Sequence, residues 1–468
     1  MSTSKDNNSM NGVNYKKAGT YYFIGNIFNK GVAFLTVPIF TRILSSYDYG
    51  VINTYNSWVG IIAMIIGFAL NIGVRLAFVD YEKKIDDFMA TITLFTLGVS
   101  VASISVVIGI VKVFNINANI LLICMCLLHS FGVAIVTDYI QYLMMQYRYK
   151  FRTALMVLPN LISVIVSIGA ILFFFKSEPY LGRIIPTTAI NLLFGLIVVY
   201  LVLRKSHIFC FEYLKYGLAI SAPLIVHGIA LNILSQSDRI MITSMADASQ
   251  TGIYSLIYNF SMIATVITTS LEGVWLPWFT HKMKENKPEE INKLAIDYVN
   301  VMTYAMVCLI LVAPEVVKLL ASQDYWEGIS IIPPIVLANY VIFAYTLYVN
   351  IEHYYKKTVF VTLNTTVAAV TNIVLNFIFI PQYGYIAASY TTLASYVVAL
   401  IMHARYAKKL ENSLYPIKTF LIPCIHFAIT CIMFYAFMDK VFIRWGIMIV
   451  YFVGMLFKER NKLSEFFS

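Results

Sequence analysis

Residues 18–40 read AGTYYFIGNIFNKGVAFLTVPIF. The run is long enough to cross a bilayer, because about 20 apolar residues at about 1.5 Å rise cover a hydrocarbon core of roughly 30 Å. Lys30 stands near its middle. At that rise it lies roughly 15–20 Å from either end. A lysine snorkels over about one side-chain length, so this ammonium does not easily reach a headgroup. Asn26 precedes it by four residues and shares its helical face. A charge at that depth costs from about 3 kcal/mol upward, and it faces a partner or a water-filled cavity. A chain that keeps Lys30 has something negative to place beside it.

The rest of the chain extends the pattern. Of 468 residues, 59% are hydrophobic and 12% charged, against about 25% charged in an average soluble domain. Apolar runs of spanning length lie near 18–40, 51–79, 88–111, 118–146, 153–175, 184–203, 214–241, 251–280, 294–313, 329–351, 358–380, 385–404, 419–437 and 441–457. They predict an all-α polytopic membrane protein with about fourteen transmembrane helices, and they exclude a soluble protein. The polar start, MSTSKDNNSMNGVNYKK, argues against a cleavable signal peptide. The six cysteines all lie in or beside apolar runs and read as small buried hydrophobes. Neither a metal site, a disulfide framework nor a cofactor is expected.

The basic excess follows the loops. With the N-terminus inside, the inner segments carry 24 Lys and Arg and the outer segments 6. That split predicts cytoplasmic termini by the positive-inside rule. The net charge of +10 is then topology, with no nucleic acid implied. Every loop is short, the longest outer one being 314–328. No phosphate-binding glycine loop, metal-ligand spacing or soluble carboxylate pair is present, so no catalytic constellation is expected.

Span 1 ends in PIFTRILSSYDYG (38–50), with Arg42 and Gly50. Span 7 ends in Asp238-Arg239-Ile240-Met241-Ile242, followed by Gly252-Ile253-Tyr254-Ser255. Arg42 and Arg239 are separated by the length of six spans, which hints at parallel repeats about an axis along the membrane normal. With NTYNSW (53–58) opening the second span, these stretches resemble the polysaccharide flippases (Wzx-like, of O-antigen type) of the multidrug/oligosaccharidyl-lipid/polysaccharide exporter superfamily. The resemblance covers essentially the whole chain. It implies two six-helix bundles around a V-shaped central cavity, here 18–205 and 206–410, after a tail at 1–17 and before two added helices in 411–468. It implies a bacterial inner-membrane protein that moves an undecaprenyl-pyrophosphate-linked oligosaccharide from the inner to the outer leaflet by alternating access. A polysaccharide polymerase and a chain-length regulator stand as partners besides the bilayer.

Such a carrier shelters a pyrophosphate and many hydroxyls. The first calls for fixed cations, the second for amides, hydroxyls and aromatic faces. Lys30 with Asn26 is the leading cation, its rival role being a structural pair with a carboxylate such as Asp138. Arg75 shares a face with Asn71, but lies near enough to a span end to snorkel. Arg239 is a third candidate, or a local ion pair of Asp238. Tyr254, Tyr258, Ser261, Thr265, Thr268 and Glu272 form one polar stripe along span 8. Thr358, Thr362, Thr365, Asn372 and Asn376 form another in span 11. Such stripes line cavities, or they join helices in lipid. Glu272, and after it Asp138, are candidates to carry a coupling proton or sodium ion. Rival functions are a cation-coupled multidrug exporter, a lipid II flippase and a membrane polymerase or ligase. The basic in-span charge disfavours the first, and the short loops disfavour the last.

Overall fold

The computed structural model describes residues 31–32, 35–114 and 119–467. Lys30 and Asn26 therefore lie outside the described residues. Among the described residues every regular element is helical. The helices are α1 (35–43), α2 (Ser46–Gly67), α3 (Leu70–Asp80), α4 (Ile85–Val113), α5 (Ile120–Met145), α6 (Tyr149–Phe173), α7 (Pro179–Leu203) and α8 (Phe211–Met245). They continue with α9 (Ala248–Lys284), α10 (Pro288–Leu320), α11 (Ile332–Tyr354), α12 (Thr358–Leu410), α13 (Lys418–Ala436) and α14 (Val441–Phe467). Eleven described stretches are long and apolar enough to cross a membrane. The apolar runs from 51–79 onward map onto these helices in order, with α2 and α3 sharing one run and α12 holding two, while most of the run 18–40 lies outside the described residues. The polytopic helical fold expected from composition is thus observed.

Two departures from straight helices have different causes. Alpha12 runs 53 residues but bends at Gly384, whose φ of 56° and ψ of −141° are open to glycine. A Cβ there would stand 1.9 Å from Oε1 of Gln250, the oxygen that accepts the N–H of Tyr385 at 3.1 Å. The second break separates α2 from α3. Phe68 and Ala69 take left-handed conformations, at φ 47° and 50°, which cost about 1–2 kcal/mol each for residues with a Cβ. The freed groups find partners. Ser221 Oγ donates to the Ala69 carbonyl at 3.1 Å, and the backbone N–H of Asn71 reaches the Asp138 carboxylate.

The fold parts into two compact units. One holds Met1–Ile43 and Tyr55–Asn232, the other Leu44–Thr54 and Ile233–Ser468. The first is built around Leu70, Phe88, Ile135, Tyr139, Tyr142 and Val198. A polar clamp closes one end of it: Tyr142 donates to Asp86, Lys205 Nζ lies 3.2 Å from Asp86, and Ser206 donates to Asp87 at 2.6 Å.

In the second unit the start of α2 crosses the start of α9 backbone to backbone. A Cβ on Gly50 would stand 1.7 Å from the Ala248 carbonyl oxygen, and one on Gly252 would stand 2.0 Å from that of Ser46. These are the two glycines matched by the internal repeat. Thr243 hydroxyl-bonds both Thr54 (2.5 Å) and Thr251 (2.6 Å) beside the crossing. Tyr325 donates to the Ser45 carbonyl at 3.0 Å. Because the obstructing atoms are backbone, Gly252→Ala is expected to cost about 1–3 kcal/mol or more through overpacking. Thermal unfolding of the purified variant in detergent checks this, and an unchanged melting temperature would contradict the crossing.

The two C-terminal helices are fastened by one arginine. Arg444 is fully buried and bonds the Leu311 carbonyl (2.8 Å), the Phe437 carbonyl (3.1 Å) and both carboxylate oxygens of Glu315. The bidentate fork ties α14 to α10, and Trp445 adds a donor to the same carboxylate at 3.1 Å.

Candidate functional site

The densest polar arrangement lies within the second unit, around Asp238 of α8. Its carboxylate is 1% exposed. Oδ2 accepts from the Tyr254 hydroxyl at 2.5 Å and from Thr392 at 2.6 Å, while Oδ1 accepts from the Asn376 amide at 2.7 Å. Asn376 in turn accepts from Thr391, and Asn372 accepts from Ser237 at 3.0 Å. One carboxylate thereby joins α8, α9 and both halves of α12. Alpha8 can supply it because its sequence there is polar, with Asn232, Ser235, Gln236 and Ser237 preceding Asp238. The cluster is made of carboxylate, amide and hydroxyl oxygens, donors suited to a hard cation.

Arg239, next in the chain, turns elsewhere. Its guanidinium donates to the Ser235 carbonyl (2.9 Å) and to Gln236 (3.2 Å) and lies 4.6 Å from the Tyr258 ring centre. Of the sequence candidates, Tyr254 belongs to the Asp238 centre, while Arg239 and Tyr258 pair beside it. Asp238, Asn376 and Thr392 hold it together.

The rest of the span 8 stripe joins α9 to α11. Asn339 donates to Ser261 at 3.1 Å and accepts from Thr265 at 3.2 Å. Thr268 bonds its own helix at the Ala264 carbonyl, 3.0 Å away. Glu272 accepts from Asn350 at 2.8 Å, so its partner among the described residues is an amide. Of the span 11 stripe, Asn372 and Asn376 belong to the Asp238 centre, and Thr365 bonds the Val361 carbonyl at 2.8 Å.

In the first unit, Asn71, Arg75 and Asp138 come together on the seam of α3 and α5. Asp138 takes the Asn71 backbone N–H at the open start of α3, where the helix dipole favours an anion. Arg75 is exposed and donates from Nε to Gln141 at 3.0 Å. The basic turn after α9 is neutralised locally: Lys282 lies 2.9 Å from Glu285 and 2.8 Å from Glu290. The Lys282 ammonium holds the Glu285 carboxyl below its ordinary range.

A third polar group was not singled out in the sequence. Glu352 near the end of α11 is fully buried, and its Oε2 lies 2.9 Å from Nδ1 of His403, 1% exposed on the second half of α12. Asn364 Nδ2 lies 3.3 Å from the same Nδ1. The run IEHYYKK (351–357) looks like a solvated helix end, and only the covering by α12 buries Glu352.

Comparison with known proteins places this geometry. The family model described as polysaccharide biosynthesis protein matches residues 16–283. A curated protein of Haloferax volcanii, the "probable low-salt glycan biosynthesis flippase Agl15", is 22% identical over 402 residues, covering 82% of this chain and 81% of its own. Among solved structures, the lipid II flippase MurJ in an inward closed conformation superposes with a TM-score of 0.69 at 17% identity, over 96% of this chain and all of its own. An inward-facing multidrug-resistance transporter of the MATE family and MOP superfamily superposes at 0.57 with 13% identity, over 84% of this chain and 99% of its own. The fold is the MurJ and MATE fold of polytopic membrane proteins. With the family model covering more than half of the sequence, this chain belongs to the polysaccharide biosynthesis protein family.

Proposed function

We propose that the protein is a flippase that carries a polyprenyl-pyrophosphate-linked oligosaccharide across the bilayer for surface polysaccharide synthesis. The observation that carries this reading is the alignment over 82% of the chain with a protein named as a probable glycan biosynthesis flippase. The chain sits in a bacterial inner membrane with both termini cytoplasmic, as the split of basic residues supports. The lipid is undecaprenyl, and the product feeds O-antigen or capsule assembly with a polymerase and a chain-length regulator as partners. Two six-helix bundles, 18–205 and 206–410, act as lobes in alternating access, and no covalent chemistry is performed. Lys30 and Arg75 face the pyrophosphate, helped by Asn26 and Asn71. Arg239, Tyr254, Tyr258, Ser261, Thr265 and Thr268 supply the polar groups for the sugar. A proton or sodium gradient drives the cycle, with Glu272 and Asp138 as carboxylates within spans.

The test is genetic. Cells lacking the gene should lose the surface polysaccharide and accumulate its lipid-linked unit on the inner leaflet, and a plasmid copy should reverse both. Unchanged polysaccharide in the deletion strain contradicts the reading.

Glu272 gives a stability prediction on its own. Glu272→Gln keeps an oxygen for the Asn350 amide, so the expected change is within about 1 kcal/mol. The apparent melting temperature of the variant in detergent checks this. A large drop would show instead that the ionised carboxylate anchors α9.

A further inference from the structure

We propose that Glu352 and His403 form a buried proton-binding site that carries the coupling proton of the transport cycle. The transport half of this proposal rests on the flippase reading above; the proton site itself does not. Glu272 and Asp138 each stand against amide or backbone groups. Glu352 alone among these carboxylates is in direct contact with a second titratable side chain, at 2.9 Å.

The contacts place one proton between the pair. Where Asn364 donates to Nδ1 of His403, that nitrogen is an acceptor, and the proton between the pair sits on Glu352. Where Nδ1 carries the proton, it donates to Glu352 Oε2 and the Asn364 amide turns over. With Nε2 protonated in both arrangements, neither leaves the pair with a net charge. Removing that proton leaves one bare negative charge at a site 0–1% exposed. Oε1 of Glu352 has no hydrogen-bond partner among the described residues, so nothing else there stabilises an anion. Among the described residues no lysine or arginine is paired with Glu352 or His403. Tyr345 of α11 stacks on His403 at 5.5 Å, and Tyr396 of α12 lies behind it, 6.3 Å from Tyr345. On α9 the nearest carboxylate is Glu272, held by Asn350. His353 follows Glu352 in sequence, is exposed, and lies within electrostatic reach of both members of the pair. Lys356 and Lys357 in the next turn are exposed.

The site can act on the fold because three helical segments close over it: the end of α11, the first half of α12 through Asn364, and the second half through His403. With the proton bound the seam is neutral and stays dry. Without it the buried charge favours water entry and loosening of α11 from α12, a two-state element of the kind a titratable pair can bias. Thr392 of the Asp238 centre is on the same half-helix as His403, eleven residues away, or about 16 Å, so loosening the one displaces a ligand of the other.

The experiment uses purified full-length protein in two measurements. In infrared difference spectra on acidification, the wild type should show a protonated-carboxyl or imidazolium band that both Glu352→Gln and His403→Gln remove. In vesicles loaded with polyprenyl-pyrophosphate-linked oligosaccharide, an imposed pH gradient should shift the steady-state leaflet ratio by about tenfold per pH unit for one coupled proton. Glu352→Gln should flatten that response while flipping without a gradient persists. The double variant Glu352→Gln with His403→Gln, which leaves an amide pair and no buried charge, repeats the test should a single variant fold poorly. Bands that survive both substitutions overturn the proton site, and a gradient response that survives Glu352→Gln overturns its coupling role. A wild type that flips nothing overturns the flippase reading, and the infrared bands then decide the site alone.

Discussion

Asp238→Ala is expected to be among the most destabilising single substitutions in the described chain. It removes the acceptor shared by Tyr254, Thr392 and Asn376. Hydrogen bonds to a charged group contribute about 1.5–3 kcal/mol each, and orphaned buried donors cost about 1–3 kcal/mol. These terms are not additive, because Thr392 and Asn376 are also linked through Asn372 and can partly re-pair. A loss of about 3–5 kcal/mol is the expected outcome, in the range for breaking a buried charged network by removing one partner. Asp238→Asn keeps the shape and one acceptor oxygen, so its loss should be smaller. Melting temperatures of both variants in detergent, compared with wild type, check the order. Equal stability for alanine and wild type would show that the cluster does not hold α8, α9 and α12 together.

Lys30→Ala should do the opposite: transport falls while the protein remains. Removing an ammonium from bilayer depth relieves a cost of about 3 kcal/mol or more, so insertion does not suffer. What disappears, on the proposed reading, is a charge-assisted contact to pyrophosphate. At about 1.5–3 kcal/mol for each such bond, one or two of them correspond to a loss of tenfold to a few hundredfold, roughly, in flipping. Lys30→Arg retains the charge with a different donor geometry and should keep part of the activity. Surface polysaccharide and membrane abundance, measured in the same cells, check both statements. Full export by the alanine variant removes Lys30 from the substrate path. Loss of the protein itself assigns the lysine to a structural pair.

Apolar run length made the spans legible, since bilayer thickness is a strong constraint on sequence. It also separated the two halves of α12, since the runs 358–380 and 385–404 part where the helix bends at Gly384. The break between α2 and α3 was not legible. Phe68 and Ala69 carry no signal for a left-handed backbone, and what holds them there, Ser221 and Asp138, lies far away in sequence. Pattern reading found the Asp238 centre only in part. The stripe spacing marked Tyr254, Tyr258, Asn372 and Asn376. Asp238 itself was eclipsed by the arginine beside it, for adjacency in sequence suggested an ion pair. On a helix, neighbours point about 100° apart, and the structure sends Arg239 to Tyr258 and Asp238 to α12. Glu352 and His403 were hidden for another reason, since burial depends on which helix covers a given turn. Gly50 and Gly252 drew notice in the sequence as similarly placed glycines, and the structure packs the helix starts that carry them backbone to backbone.

The central claim is that this chain moves a lipid-linked glycan between leaflets. Its most direct measurement is leaflet exchange in vesicles containing the purified protein and a polyprenyl-pyrophosphate-linked oligosaccharide, followed by how fast externally added enzyme can reach the sugar. Protein-containing vesicles should expose the inner-leaflet pool, vesicles with Lys30→Ala should expose it more slowly by the factor given above, and empty vesicles should leave it protected. A pool that stays protected in the wild-type vesicles, or one that opens equally for an unrelated cationic amphiphile, contradicts the account.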